Sequence, residues 1–591
     1  MRKSMFLTKL KLVLQIWSEQ FRECPKLTLC EATAGIVFKL QAVLQVILPA
    51  MIVNALNDTL WINVAVLVSV YAVITPLLTG MGRGINLIRE AYGYQAINLR
   101  LNKISKKTMS LDYQDTEDTG VLDMMEAAKD SVWEFNDVGY VICTDLLGNV
   151  LSFAMMSAIF IVLNPLVCFI TLVMTGVSTY AERKKIKIAH DSHIFESKFK
   201  RSVNYYKELL QDQSLGKEVR AYHADEFLLK KYHEAQAQYL RQIESREKKL
   251  CKWSSLQRLV YFLQLAIAYV VAIIGYQRGD IAIGWFLMYV NASQELFLVV
   301  QEIFDNLVEL SLVAEYYKDY SDYMAIEEKL LNGGSKTSIP QIRHGLLEFC
   351  NVSFTYPTQM RPAISNVNFT INPGDKVAFV GNNGAGKSTL IKLILRLYDP
   401  TEGTIYLDGK DIKEYDYNEY LGLFTCAFQD YQLFSYTLKE NICFDDTRNS
   451  EKLGRVIAQA MLERVIEKCP YGVDTYLGKE FSNQSVLLSG GEEQSVVLAR
   501  AFYKDSPIVL FDEPTATLDP IRERKIYCHQ KDFCNGKTAV FVSHRMGSTS
   551  FCNKILVFED GKLIEQGDHN SLMKMHGVYY DMFEKQSSYY R

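Results

Sequence analysis

Six apolar runs in the first half of the chain restrict its fold more than any other feature. They lie near residues 33–56, 61–82, 141–163, 166–181, 256–276 and 282–303. Each is long enough, the fourth nearly so, to cross a hydrocarbon core of ~30 Å with ~20 residues. Lipid offers backbone N–H and C=O groups no hydrogen-bond partner, so runs of this kind are expected as α-helices. The connections between them alternate in character. Residues 57–60, 164–165 and 277–281 are tight turns whose only basic residue is Arg278. The other two are long and charged, one with Arg83, Arg89, Arg100, Lys103, Lys106 and Lys107, the other with Arg183, Lys184, Lys185 and Lys187. That excess of basic residues puts both long connections and both termini in the cytoplasm, as an even number of spans requires. The chain therefore reads as a multi-pass protein of the cell (plasma or inner) membrane, with the bilayer as its first partner.

Residues 1–32 precede the first span. Arg2, Lys3, Lys9 and Lys11 with Leu10, Val13, Leu14 and Trp17 fit an amphipathic helix on the inner membrane surface, a frayed terminus being the alternative. The long connection 182–252 has helical composition; as a hairpin of ~35-residue arms it would project roughly 50 Å at ~1.5 Å per residue. Residues 83–137 make a similar, shorter hairpin. Between the arms, 115–128 and 213–222 are candidate tips that either touch a separate domain or remain solvated. Residues 331–344 read as a polar linker around Asn332-Gly333-Gly334-Ser335. The expected organisation is thus 1–32, a six-helix membrane domain 33–330, the linker, and a soluble domain 345–591. In the last, short β runs (346–349, 376–380, 404–407, 508–511, 538–542) alternate with helices, arguing for a largely parallel sheet with an antiparallel part at its start. Net charge is −4 and no basic tail is present, so nucleic acid is not an expected partner. The 12 cysteines are scattered, which reads as reduced thiols rather than disulfides or a zinc site.

In the soluble domain, Gly381-Asn382-Asn383-Gly384-Ala385-Gly386-Lys387-Ser388 follows the strand-like run 376–380 and opens a helical run from Thr389 to Leu397. Strand, glycine loop and helix together make a phosphate-binding loop. Its amides converge on β- and γ-phosphates at a helix N-terminus; Lys387 reaches the same phosphates and the Ser388 hydroxyl holds Mg²⁺. The apolar run 508–511 ends in Asp512-Glu513. A buried strand ending in a carboxylate places Asp512 to orient the metal and its waters, and Glu513 to act as general base on the attacking water.

With these residues goes Leu488-Ser489-Gly490-Gly491-Glu492-Glu493-Gln494, and the region from 345 onward resembles the nucleotide-binding domain of ABC transporters. The resemblance implies ATP and Mg²⁺ as cofactors and gives roles by matching position. Tyr356 would stack on adenine, Gln429 would reach Mg²⁺, Asp519 would sit in the loop that crosses a dimer interface, and His544 would be the switch histidine on the γ-phosphate. With Thr389 at the loop's end these complete the nucleotide set, and Ser388, Gln429 and Asp512 the metal set, partly through water. Ser489, Gly490, Gly491 and Glu492 would close on nucleotide held by a second chain; a helix N-terminus there can donate to a γ-phosphate. Glutamine is also common at the position of Glu492, and the preceding Leu477-Gly478-Lys479-Glu480-Phe481 lacks the Gly-Glu-Arg-Gly pattern of many multidrug exporters. No hydrolytic residue is degenerate, so the resemblance favours a homodimer over a heterodimer.

Taken whole, the chain resembles a half-size ABC exporter. In the last span, Glu295, Glu302 and Glu309 recur every seven residues beside Asp305, one acidic stripe on a helix. Glu295 and Glu302 are expected in the cargo pathway, favouring a cationic cargo; alternatively Glu302 and Glu309 pair with basic residues in the cytoplasmic extension. Phe502-Tyr503-Lys504-Asp505 and the tail Ser588-Tyr589-Tyr590 resemble exporters of ribosomally made peptides, including lantibiotic types, without the protease domain that some carry ahead of the first span. Three readings stand: a peptide exporter first, a multidrug or lipid exporter moving an amphipathic small molecule second, and a membrane ATPase that senses or regulates third.

Overall fold

The computed structural model describes residues 2–57, 61–163, 165–212, 215–279, 282–332, 345–357, 359–444, 449–478, 484–513, 520–542, 549 and 551–588. The chain divides into two compact units, Met1–Met109 with Gly120–Ile326, and Ser110–Thr119 with Glu327–Arg591.

The first unit is helical throughout: α1 (Arg2–Glu23), α2 (Pro25–Asn57) and α3 (Trp61–Ser110), then, after α4 (Tyr113–Thr116) of the other unit, α5 (Thr119–Phe135), a π-helical stretch (Tyr140–Leu146), α6 (Leu147–Leu163), α7 (Pro165–Gln211), α8 (Gly216–Ala221), α9 (Asp225–Gln277) and α10 (Ile283–Met324). Among the described residues, four helical stretches are long and apolar enough to cross a membrane: Pro25–Asn57, Trp61–Ser110, Thr119–Ser157 and Asp225–Gln277. The expected fourth and sixth spans fall inside the continuous helices α7 and α10, but four such stretches, not six, meet the length and composition of a span.

Apolar side chains point outward as well as inward. Ile36, Leu40, Ile62, Val66, Val73, Leu77, Leu259, Phe262 and Val270 are all exposed. Helices apolar all round need a solvent of hydrocarbon, not water. The inward faces meet on α10, where Met288, Tyr289, Ala292, Leu296 and Val300 are buried with Val43, Val46 and Ala50 of α2, Met156 of α6 and Ala272 of α9. Helices α7 and α9 run together as the long hairpin expected from 182–252. Gln257 donates to Glu182 at 2.7 Å, and Lys185 bridges Glu182 (2.6 Å) and the Gln257 carbonyl (3.1 Å).

The second unit holds α4, α11 (Lys329–Asn332) and two sheets. One is antiparallel, in the order β2-β1-β4-β5, from β1 (Leu347–Phe354), β2 (Ile364–Ile371), β4 (Glu402–Leu407) and β5 (Lys410–Asp411). The other runs β10-β9-β3-β8-β7-β6, from β3 (Lys376–Gly381), β6 (Phe424–Ala427), β7 (Ile508–Asp512), β8 (Thr538–Val542), β9 (Lys554–Glu559) and β10 (Lys562–Gly567). It is parallel except for β10 at its edge. The antiparallel part is therefore a separate sheet rather than the start of a single one. Strands β7 and β8 are buried at every residue, as central parallel strands covered on both faces must be. Helices α12 (Lys387–Ile394), α13 (Tyr417–Gly422), α14 (Leu438–Cys443), α15 (Ser450–Gln459), α16 (Glu463–Lys468), α17 (Gly490–Lys504), α18 (Pro520–Phe533), α19 (His569–Met575) and α20 (Val578–Ser588) complete it. Helix α12 starts two residues before the expected Thr389 and ends at Ile394, short of the expected Leu397, two residues before Arg396, whose φ is +51°.

The segment Ser110–Thr119 groups with this unit, so only the start of the first expected tip, 115–119, lies here, while 120–128 belongs to the first unit. Asp112 accepts the backbone N–H groups of Lys329 and Leu330, each at 3.1 Å, and Ser110 donates to Glu328 at 2.6 Å. Glu117 accepts the Tyr398 hydroxyl and pairs with Lys392 at 3.6 Å, while Tyr113 packs edge-on against Tyr398 at 5.7 Å.

Candidate functional site

Strand register brings the site together. Val542 of β8 lies opposite Phe379 of β3 on one side and Asp512 of β7 on the other. The Asp512 carboxylate therefore stands level with the start of the glycine loop, at the C-terminal edge where parallel sheets bind ligands. Gly381 leaves β3 under Phe558, whose carbonyl oxygen would lie 2.2 Å from any added Cβ. Gly386 has φ +93° at the N-cap of α12, and a Cβ there would meet Ile364 at 2.5 Å and the Ala363 carbonyl at 2.7 Å. Both positions demand glycine, so the spacing of the motif follows from local geometry.

Inside the loop, the Lys387 ammonium donates to the carbonyls of Gly381 (2.8 Å) and Asn382 (2.9 Å) and is 5% exposed. Burial lowers its pKa, with Glu513 and Asp512 opposing. Ser388 donates to Asp512 at 3.2 Å. Burial pushes the Asp512 carboxyl up to about 6, with the Ser388 bond opposing and the Glu513 charge adding. Glu513 takes φ +49°, rare for a side chain of its size, and its N–H is held by the Val542 carbonyl at 3.1 Å. Tyr356 shares a 3.1 Å hydrogen bond with Thr389, and its ring packs edge-on against Phe354 (4.9 Å) and Tyr398 (5.4 Å).

A cavity of about 920 Å³ opens among these groups, lined by Tyr356, Asn383, Gly384, Gly386, Lys387, Ser388, Thr389, Gln429 and Glu513. Most of the expected set is thus brought to one place, with Ala385 buried beneath the loop and Asp512 reached through Ser388. Asp519 and His544 lie outside the described residues, as do Lys479, Glu480 and Phe481. The cavity also takes Gln359, Arg361, Asp560 and Gly561, which sequence reasoning missed. They sit on turns with no fixed spacing from the loop; a basic residue five positions after Tyr356 was the one available hint. Ser388, Asp512 and Gln429 offer a hydroxyl, a carboxylate and an amide oxygen, a hard-oxygen set that fits Mg²⁺.

Ser489, Gly490, Gly491 and Glu492 stand apart. Among the described residues none of them lines the cavity. Ser489 is the N-cap of α17, and its N–H and hydroxyl both donate to Glu492, each at 2.9 Å, a capping box. Tyr431, two residues beyond Gln429, donates to the Gly490 carbonyl (3.2 Å) and to Glu493 (3.3 Å). In the first unit, Glu302 is 53% exposed and paired with Lys39 of α2 at 3.4 Å. It does pair with a basic residue, one within the first apolar run rather than in a cytoplasmic extension. Glu295 is half-buried on α10. The described cysteines are free thiols.

Comparison with known proteins agrees with this geometry. The family model for ABC transporters matches residues 364–516. The subtilin transport ATP-binding protein SpaT of Bacillus subtilis is 28% identical over 87% of this chain and 85% of its own length. An ATP-dependent lipid A-core flippase of Photorhabdus laumondii is 37% identical, over 41% of this chain and 42% of its own. The solved structure of a bacterial Atm1-family ABC exporter with ATP bound superposes with a TM-score of 0.77 at 21% identity, covering 96% of this chain and 98% of that one. A phosphate loop, a strand-borne carboxylate and the signature helix α17, capped at Ser489, all lie within the matched residues, so 364–516 form an ATP-hydrolysing ABC transporter domain, in a chain that shares the fold of a solved ABC exporter.

Proposed function

We propose that the chain exports a peptide from the cytoplasm or inner leaflet by ATP-driven alternating access. The observation that carries the peptide reading is likeness over 87% of the chain to a protein named for subtilin transport. The likeness to a lipid A-core flippase at 37% identity supports a lipid cargo as the second reading.

Among the described residues 489–492 do not line the chain's own cavity, which supports a dimer, and the partner proposed here is a second copy. Residues 33–330 form the membrane domain, 331–344 the linker and 345–591 the cassette, with both termini cytoplasmic. Tyr356 stacks on adenine, and the loop amides with Lys387 hold the β- and γ-phosphates. Ser388, Asp512 and Gln429 hold Mg²⁺, which supplies neutralisation of the phosphate oxygens. Glu513, strained into place at the cavity wall, takes the proton of the attacking water, and His544 contacts the γ-phosphate. Ser489 and the α17 amides complete the site on the other chain, with Asp519 at the interface. Closure of the two cassettes on ATP moves the helical hairpins and turns the cargo pathway of the membrane domain outward; hydrolysis resets it. Glu295, together with the Lys39-paired Glu302, faces the pathway and favours cationic cargo.

The test is ATP-dependent uptake into inside-out vesicles bearing the purified protein, with labelled cationic peptides, lipids and drugs offered in parallel. Peptide uptake that Glu513→Gln abolishes supports the first reading, and lipid movement alone supports the second. ATP hydrolysis with no cargo moved would leave a sensory ATPase. Glu295→Gln should lower uptake of cationic peptide about tenfold while leaving neutral peptide within about twofold; equal uptake of both would remove the acidic pathway.

A further inference from the structure

The start of α17 carries an ion pair that the hydrolytic set does not use. One carboxylate oxygen of Glu492 accepts both the N–H and the hydroxyl of Ser489, each at 2.9 Å. The other oxygen accepts the ammonium of Lys468, the last residue of α16, at 2.7 Å. Lys468 is 64% exposed and Glu492 13%. The Lys468 bond first, then the Ser489 N–H, hold the Glu492 carboxyl down at about 2, so it is ionised at neutral pH. From the other side, Tyr431 ties down Gly490 and Glu493.

A serine has a single O–H to donate. Here it is committed to Glu492, so donation to a γ-phosphate on a second chain requires the hydroxyl to turn. The turn would leave an ionised carboxylate beside a phosphate, in an interface that excludes water, where like charges repel strongly. Glutamine at this position would raise no such conflict; glutamate needs a counter-charge, and Lys468 already holds its far oxygen.

We propose that Lys468 is a positioning residue for the signature: it clamps Glu492, and through Glu492 the Ser489 hydroxyl, and it neutralises that carboxylate when the signature closes on nucleotide held by the partner. The inference rests on the reading that Ser489 acts on a second chain's ATP. Because Lys468 meets nucleotide only through closure, its loss affects turnover rather than the first binding of ATP.

The experiment measures ATPase turnover and equilibrium ATP-analogue binding on the full-length protein in lipid nanodiscs. Lys468→Met should lower kcat about tenfold with analogue binding within about twofold, and Lys468→Arg, which keeps the charge, should retain most of the turnover. In a Glu492→Gln background, Lys468→Met should change kcat by less than about twofold, since the charge it answers is gone. Equal losses in both backgrounds would mean that Lys468 merely braces the fold, and would overturn the inference. Unchanged turnover in Lys468→Met, with Ser489→Ala inactive, overturns this inference alone. Wild-type turnover in Ser489→Ala overturns the reading beneath it as well.

Discussion

Gly386 is where local geometry is least forgiving. Its φ of +93° and the 2.5 Å and 2.7 Å approaches of Ile364 and the Ala363 carbonyl leave no room for a methyl group. Gly386→Ala should weaken ATP binding at least about tenfold, measured by titration with a fluorescent analogue, because both strain and displacement fall on the loop. Glu513 makes the opposite case: it lines the cavity at φ +49° without belonging to the loop. Glu513→Gln should keep ATP binding within about twofold and lower hydrolysis about 100-fold or more, in a single-turnover phosphate-release assay. Gly386 and Glu513 could be read from their own neighbours in the chain. Arg361 and Asp560 could not, because their place in the cavity depends on turns packed against other turns.

Among the elements, α14 is the clearest case of a helix started by its own sequence. Thr437 accepts the N–H of Glu440 at 3.2 Å, and Glu440 accepts the N–H (2.9 Å) and hydroxyl (2.7 Å) of Thr437. Thr437→Ala should cost about 1 kcal/mol, a fall of ~2–4 °C in the melting midpoint of the cassette by calorimetry. The bonds from Thr437, backbone first, lower the Glu440 pKa. A carboxyl depressed on folding stabilises above its unfolded pKa and loses that contribution as pH falls through its folded value. The gap between wild type and Thr437→Ala should therefore narrow below pH ~4. The segment Ser110–Thr119 is an element placed by contact rather than by pattern. Glu117→Ala removes the partners of Tyr398 and Lys392 and should speed amide exchange across 110–119 about tenfold, leaving β3 unchanged, by hydrogen-exchange mass spectrometry.

For the molecule as a whole, the proposed stoichiometry rests on the separation of the signature from the cavity. Among the described residues the signature does not line the chain's own site, and on the reading proposed above each chain supplies half of a catalytic unit. Lys387→Ala spoils the loop and spares the signature; Ser489→Ala does the reverse. Each alone should hydrolyse ATP at background rates. Co-expressed in equal amounts as a homodimer, they should recover about a quarter of wild-type turnover, since half the dimers are mixed and each mixed dimer holds one intact site. No recovery on co-expression would exclude a site shared between two copies.

The phosphate loop, the strand-borne Asp512-Glu513 pair and the apolar runs were all legible in the linear chain. Each depends on spacing within one element, and backbone sterics or the length of a bilayer crossing fixes that spacing. The continuous helices α7 and α9 followed from composition for the same reason. Three features needed the folded molecule: the second sheet as a body of its own, the grouping of Ser110–Thr119 with the cassette, and the counter-ions. Lys39 meets Glu302 across 263 residues and Lys468 meets Glu492 across 24. A single ion pair carries too little energy to leave a pattern in sequence, and any of 64 basic residues could have filled either place. Which one does is settled by how the helices pack.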